Sequence, residues 1–326
     1  MSEFVLIGTL NRRDLKRGAS IAANNFHWNA IDLLQIKRII SINSQEEFNN
    51  DRLEIGFLYT THKMKYLWKS IMLLSRMYRG HVPIFYNIEW YTIHLLLWSI
   101  LMRKRPRVIA LDLSINSILY KILLYLSHRP IILRSKFLLS NAQDHVLFPG
   151  FLSEDLVRGS SNSLKESRTR CLLCGSLGPN TGLENFCELA SIYNEMEFHI
   201  AGIPHRIQES EIYKVIDKYN VNSNIVYHGV LSRKDYRNLL HMCNLGFSLR
   251  AENKENKYNF PSKILDYISA GLIPISSIDY NEFANLRIYS PELLSRYNFL
   301  EIQERETIIF GNTSALKEYN KYERFL

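Results

Sequence analysis

The feature that most restricts this chain is an alternation, run twice, of short apolar stretches with longer amphipathic ones. In the first half, FVLIGTL (4–10), RIISIN (38–43), IGFLYT (55–60), VPIFYN (82–87), RVIALDL (107–113) and PIILRS (130–135) are short and rich in Ile, Val, Phe and Tyr, and read as strands. Helical stretches at 65–79, 90–104 and 115–127 separate several of them. The pattern stops in a polar, Ser-rich interval at 153–170, SEDLVRGSSNSLKESRTR, which reads as a linker. It then restarts with CLLCGSLG (171–178), FHIAGI (198–203), NIVYHGV (224–230), LGFSLR (245–250), LIPISS (272–277) and FLEI (299–302), with helices near 182–196, 209–219, 232–243 and 261–270 between them. Near-continuous apolar strands separated by helices belong to parallel sheets covered on both faces. The expected fold class is therefore α/β: two Rossmann-like domains, 1–152 and 171–326, facing each other. Ligands of such sheets bind beyond the carboxyl ends of the strands.

Composition narrows the class. A chain of 326 residues is long for one core, and its 46% apolar and 22% charged residues are ordinary for a globular protein. The longest apolar run, IHLLLWSILM at 93–102, contains His94 and Ser99 and meets RKRPR, so it is too short for a membrane span. The N-terminus has an acid at position 3 and no basic lead, which does not read as a signal peptide and suggests the cytoplasm. Cys171 and Cys174 have a C-x2-C spacing, but no second close pair or His cluster completes a metal set, so the expectation is core packing and no metal.

Charge is uneven. Residues 1–150 hold 20 Lys and Arg against 10 Asp and Glu, leaving the remainder of the chain at −2 out of a total of +8. In KMKYLWKSIMLLSRMYR (63–79), TIHLLLWSILMRKRPR (92–107) and ILYKILLYLSHRPIILRSKFLL (118–139) these cations are interleaved with apolar and aromatic residues. Such stretches suit an anionic membrane surface. They also suit a domain core whose charges simply point to water, or a basic scaffold that binds nucleic acid.

The densest local signal is NFPSKILDYISAGLIPI at 259–275. Pro261 and Ser262 mark a helix start, Ile264, Leu265, Ile268 and Ala270 give it a buried side, and Gly271 ends it before a strand. Lys263 and Asp266 lie three apart over the first turn, where free amides make the backbone locally positive. Two readings stand: a phosphate site, or an ordinary surface ion pair. Gly175 and Gly178 follow the first strand of the second half, where missing side chains admit a ligand to the backbone or simply allow a turn.

These segments carry a resemblance. CLLCGSLGPNTGLENF, FHIAGI, NIVYHGVLSRKDYRNLLHMCNLGFSLR and YNFPSKILDYISAGLIPIS resemble, in order and spacing, the donor-binding domain of GT-B glycosyltransferases, above all bacterial surface-polysaccharide enzymes similar to family 4. The likeness covers about residues 168–280. It implies a nucleotide-sugar donor and no metal cofactor. Lys263, Ser262 and the helix N-terminus would meet the diphosphate, Asp266 the ribose hydroxyls, and Gly175, Ser176, Gly178 and Arg250 the rest of the donor. Lys254 and Lys257 are looser candidates. Tyr258 stands where many relatives carry the first of two glutamates eight positions apart, which moves the likeness toward enzymes with a PSK-type helix, some of them inverting. Family precedent also implies that the last helix packs back on the N-terminal domain.

A base for the acceptor hydroxyl is expected from the first domain, at Asp112 or Glu89, each at the end of a strand; a helix cap or rim charge is the alternative for either. Gly8, Arg17 and Gly18 lie where the family borders its acceptor. His27, His94 and His128 read equally as core or surface. The implied activity is transfer of a sugar to a growing, lipid-linked surface glycan (O-antigen, capsule or exopolysaccharide type) at the inner face of the cell membrane, with no nucleic acid as partner. A sugar-nucleotide epimerase of the same fold and a non-enzymatic scaffold are the alternatives.

Overall fold

The structure, a computed structural model, describes residues 3–8, 27–32, 34–42, 50–58, 63–77, 81–86, 92–103, 106–110, 125–127, 131–133, 145–157, 168–253, 256, 260–298 and 300–320. The chain forms two compact units that divide between Phe151 and Leu152.

The first unit is built on seven parallel strands: β1 (Glu3–Gly8), β2 (Arg38–Ile42), β3 (Glu54–Leu58), β4 (His81–Tyr86), β5 (Arg107–Ala110), β6 (Ile131–Leu133) and β7 (His145–Leu147), in the order β3-β2-β1-β4-β5-β6-β7. Val5, Leu6, Ile7, Ile39, Ile40, Phe85, Val108 and Ile109 are fully buried, which is why the central strands read as unbroken apolar runs. β7 was not legible: its three residues sit between the mostly polar stretch Asn-Ala-Gln-Asp and Phe-Pro-Gly. Two helices, α1 (Lys63–Met77) after β3 and α2 (Ile93–Leu101) after β4, lie side by side, with Ser70 Oγ 3.0 Å from His94 Nε2.

The second unit has five parallel strands, β8 (Arg170–Leu177), β9 (Glu197–Pro204), β10 (Ile225–Tyr227), β11 (Leu245–Ser248) and β12 (Ile273–Ser276), in the order β10-β9-β8-β11-β12. Its longer helices are α3 (Leu183–Ile192), α4 (Glu209–Lys218), α5 (Arg233–Met242), α6 (Ser262–Ala270) and α7 (Ile302–Tyr319), with a single helical turn at Leu294–Tyr297 between the last two. One face of the sheet is filled by Phe186, whose ring meets those of Phe198 and Phe247 edge-on at 5.1 and 5.2 Å. Leu156, Leu172, Cys174, Leu239, Leu240, Cys243 and Tyr267 form a second buried cluster. All four cysteines are buried free thiols, and burial pushes those of Cys171, Cys174 and Cys187 upward, the last to about 12.

A pair of imidazoles also packs in this unit, His199 buried and His228 half-buried. His199 Nδ1, on β9, is 3.0 Å from His228 Nε2, just beyond β10. Burial lowers His199 to about 4 against the opposing pull of Glu197, and burial also lowers His228.

Two expectations are corrected. FLEI forms no described strand: Glu301 is the N-cap of α7, and its capping box with Glu304 starts a helix whose Ile308, Asn312, Leu316 and Tyr319 face inward. α7 packs on α6 and β12 of its own unit, and residues 321–326 lie outside the described set. The start of the supposed linker is not free chain. Glu154–Leu156 is a short 3-10 turn, Ser153 and Leu156 are buried, and Arg233 makes a bidentate pair with Asp155 at 2.8 and 2.9 Å. Residues 158–167 lie outside the described set.

Candidate functional site

In the second sheet the winding order reverses between β8 and β11, so the crevice for a ligand lies at their carboxyl ends. Four sequence-chosen residues meet there. β8 reaches Gly175 and Ser176, both exposed; Arg250 follows β11; and α6 begins one residue before Lys263.

Gly175 has a positive φ of 111°, and a methyl at its Cα would meet Lys263 Cε and Nζ at 3.5 and 3.6 Å. The lysine therefore lies against a stretch of backbone that has no side chain to cover it. Across the β8–β9 pair, Gly175 opposes Gly202, and a side chain at 202 would overlap the Gly175 carbonyl. Two facing glycines let the strands close up here.

Gly178 has a different explanation. Its N–H donates to Thr181 Oγ1 and its carbonyl accepts from the same hydroxyl, both at 2.7 Å, and a Cβ would overlap the carbonyl of His205. Packing of a closed turn accounts for this glycine.

α6 is held by what precedes it. Phe260 is buried against Tyr280 and Phe283, with ring centroids at 5.0 and 4.9 Å. Pro261 is the N-cap, in extended conformation, and no side chain caps the first turn. Ser262 thus does not perform the expected capping, and among the described residues no side-chain acceptor caps the positive end of the helix. Gly271, left-handed, ends the helix as the sequence predicts.

Lys263 is half-buried, and among the described residues no carboxylate lies within ion-pair distance of it. Burial, assisted by the nearby Arg250 charge, lowers its pKa to about 8. The alternative of a Lys263–Asp266 ion pair is thereby answered. Asp266 turns to other partners, accepting from Ser153 Oγ and Tyr236 Oη, each at 3.2 Å. Burial raises its pKa, while Arg233 and the two hydroxyls hold it down.

Sequence reasoning missed the polar cluster beneath. Tyr236 Oη lies 3.2 Å from Cys174 Sγ as well as from Asp266. Tyr267 Oη lies 3.2 Å from the same sulfur, accepts from the Cys174 amide, and donates to the Phe247 carbonyl at 2.9 Å. These groups satisfy one another and hold α5, α6 and the ends of β8 and β11 in one register. The contacts join residues up to 113 apart in the chain, and no local pattern announces them.

In the first sheet the order reverses between β1 and β4. Gly8 ends β1, and a Cβ there would overlap the ring of His27, which is fully buried and packs against Tyr86 with ring centroids 4.4 Å apart and the planes tilted by 60°. His27 is thus a core residue and the reason for Gly8. Arg17, Gly18, Glu89, Asp112, Tyr258, Lys254, Lys257 and His128 lie outside the described residues. Among the described residues no three His, Cys, Asp or Glu side chains are grouped as a metal site.

Neither a protein-family model nor the sequence of a curated protein matches the chain. Solved structures do. A glycosyltransferase from Rickettsia africae ESF-5 matches with a TM-score of 0.66 at 11% identity, over 99% of this chain and 96% of that one. A UDP-GlcNAc 2-epimerase from Neisseria meningitidis, bound to UDP-GlcNAc, matches with a TM-score of 0.60 at 11% identity over 99% of both chains. A lipopolysaccharide outer core galactosyltransferase in its apo form matches with a TM-score of 0.55 at 12% identity over 98% of both. At this identity the likeness establishes architecture: the chain has the GT-B fold, two Rossmann-like domains, as expected from its sequence.

Proposed function

We propose that the chain is a glycosyltransferase that takes a nucleotide-sugar at the carboxyl ends of β8 and β11 and passes the sugar to a growing, lipid-linked surface glycan at the inner face of the cell membrane. One observation carries the reading. Lys263, half-buried, sits beside bare backbone at Gly175, within range of the Arg250 charge and at the N-terminus of α6, and no described carboxylate pairs with it. Two converging cations and a helix N-terminus favour an anion, and a diphosphate is the anion a donor would bring.

Departure of that diphosphate is the step such a site assists. The acceptor oxygen bonds to the anomeric carbon, the bond from that carbon to the diphosphate breaks, and the acceptor proton passes to a base. Fixed cations at the leaving oxygens stabilise charge that grows in the transition state. Asp112 and Glu89 are the proposed sources of the base. Asp266 is proposed for the ribose; that role requires the ribose to share the carboxylate with Ser153 and Tyr236.

Fold kinship with a lipopolysaccharide galactosyltransferase supports a glycan acceptor, and kinship with an epimerase favours a second reading, in which the free donor sugar is isomerised. Thermal stabilisation of the purified protein by UDP, GDP, CDP and dTDP tests the donor site. A ligand at a hundredfold its Kd stabilises the native state by about 2.7 kcal/mol, so one nucleotide should raise Tm by several degrees. If saturating amounts of the whole panel leave Tm unmoved, the reading fails. Conversion of the donor sugar without any acceptor would select the epimerase.

A further inference from the structure

A carboxylate accepts about four hydrogen bonds, two at each oxygen, and its plane turns to whatever partners hold it. Asp266 has a partner on each oxygen, and the two come from different elements: Ser153 Oγ donates to Oδ1 and Tyr236 Oη, on α5, to Oδ2, each at 3.2 Å. With both oxygens tied, rotation of the carboxyl plane is opposed, while a lone pair is left over on each. The side chain is half-buried, so it is not sealed from a ligand. A ribose offers two neighbouring hydroxyls, at its 2′ and 3′ carbons, to fill those positions.

Ser153 is the unexpected member. It belongs to the segment with which the second unit begins, and its place does not depend on its hydroxyl. The Ser153 N–H donates to Ser269 Oγ, on α6, at 3.0 Å. Two residues on, Asp155 is clamped by Arg233, and Leu156 is fully buried with its carbonyl 2.9 Å from His241 Nε2. The backbone is thus pinned to α5 and α6 at Arg233, His241 and Ser269. The bond from the hydroxyl to Asp266 is longer than the usual O–H···O range of about 2.5–3.0 Å, so it adds little to that attachment. A hydroxyl fixed through its backbone is suited to orient the carboxylate, not to be oriented by it.

We propose that Ser153 is a positioning residue for nucleotide recognition: with Tyr236 it fixes the Asp266 carboxylate so that the remaining lone pairs accept the two ribose hydroxyls, three residues along α6 from the Lys263 that takes the diphosphate, and the site thereby prefers a ribonucleotide. This assignment rests on the donor site proposed above, but its measure is the preference for ribose, whereas the donor site stands or falls on binding itself.

The charge of Asp266 follows from the same contacts. Burial raises its pKa; Arg233 and the hydroxyls of Tyr236 and Ser153 hold it down, and Asp155 opposes them. Cys174 and Tyr267, both neutral, lie close enough to feel that charge, and Lys263 shares the helix. Loss of the Ser153 hydroxyl therefore raises the pKa further. A carboxylate accepts a stronger bond from a hydroxyl when it is ionised, so the preference for ribose should fade as pH falls, and at a higher pH in Ser153→Ala than in the wild type.

Titration calorimetry of the full chain with UDP, GDP and CDP, each beside its 2′,3′-dideoxy form, and with inorganic pyrophosphate tests the role. The wild type should bind one ribonucleotide about tenfold more tightly than its dideoxy form, and Ser153→Ala should cut that ratio to about two or three. Affinities of the variant for pyrophosphate and for the dideoxy form should match the wild type. Tyr236→Phe, altered at the other oxygen, should cut the ratio as well and supplies the measurement if Ser153→Ala does not fold. An unchanged ratio in the variant overturns the proposal. So does a larger ratio in Ser153→Ala, because the hydroxyl would then compete with ribose for the carboxylate. Equal binding of ribo and dideoxy forms by the wild type, with pyrophosphate bound, also removes it but keeps the phosphate site at Lys263; absence of all binding removes the donor site and this role together.

Discussion

The two sheets share a winding order and differ in what they place where it reverses. In the second, Gly175 stands exposed with the Lys263 side chain beside it and Arg250 within range. In the first, the glycine at the end of β1, Gly8, is filled over by His27, whose ring in turn packs at a tilt against Tyr86. One topology thus yields a bare cationic cradle in one unit and a packed aromatic lid on the strand end in the other. A crevice comes from the winding; its chemistry comes from three or four side chains.

The sharpest way to break this contrast is through the glycines. At Gly202 an added methyl would overlap the Gly175 carbonyl, a backbone atom that cannot rotate away, whereas at Gly8 it would meet the His27 ring. Gly202→Ala should cost on the order of 3 kcal/mol, lowering Tm by roughly 10 °C, and Gly8→Ala should cost less. Equal losses in thermal melts would mean that the two strand ends are alike after all.

Next in size is the cradle itself. Lys263→Ala should weaken nucleotide binding about 10- to 100-fold, the worth of a charge-assisted contact, in titration calorimetry. Because the ammonium titrates at about 8, wild-type affinity should fall as pH rises through that value, and the variant should lack this dependence. A pH-independent wild type would place the phosphates elsewhere.

Acid should then weaken the second unit. His199 has a folded pKa of about 4, below its unfolded value near 6.5, so the unfolded chain takes up the proton first and stability is lost as pH falls from about 6.5 to 4. Burial lowers His94 in the first unit in the same direction. Urea unfolding at pH 7 and pH 4.5 should show the loss, and His199→Gln should flatten most of it; if the slope survives, the imidazole pair is not its source.

The smallest effect is expected at Tyr236→Phe, which removes a donor from Asp266 and should cost about 1 kcal/mol, or a few degrees of Tm. Lys263 binding should change little in that variant if the polar cluster acts only as a support.

The parallel strands were legible because burial on both faces forces unbroken apolar runs such as VLI in β1 and LLC in β8. α6 was legible because Pro261 and Gly271 bracket it. By contrast, FLEI misled because Phe, Leu and Ile together mimic a strand, while the decisive signal was Glu301 with Glu304, an acidic capping pair in a polar stretch. At the site, glycines and Lys263 could be chosen from local pattern. The partners of Asp266 could not, since Ser153 and Tyr236 are brought to it only by the fold.

The burial of every thiol has a practical side. With Cys171, Cys174 and Cys187 held as neutral groups and all four sealed inside the second unit, the native protein should be silent toward thiol-modifying reagents. Modification then becomes a clock for the opening of that unit, and a cysteine introduced on the surface becomes the one handle a spectroscopic label would find.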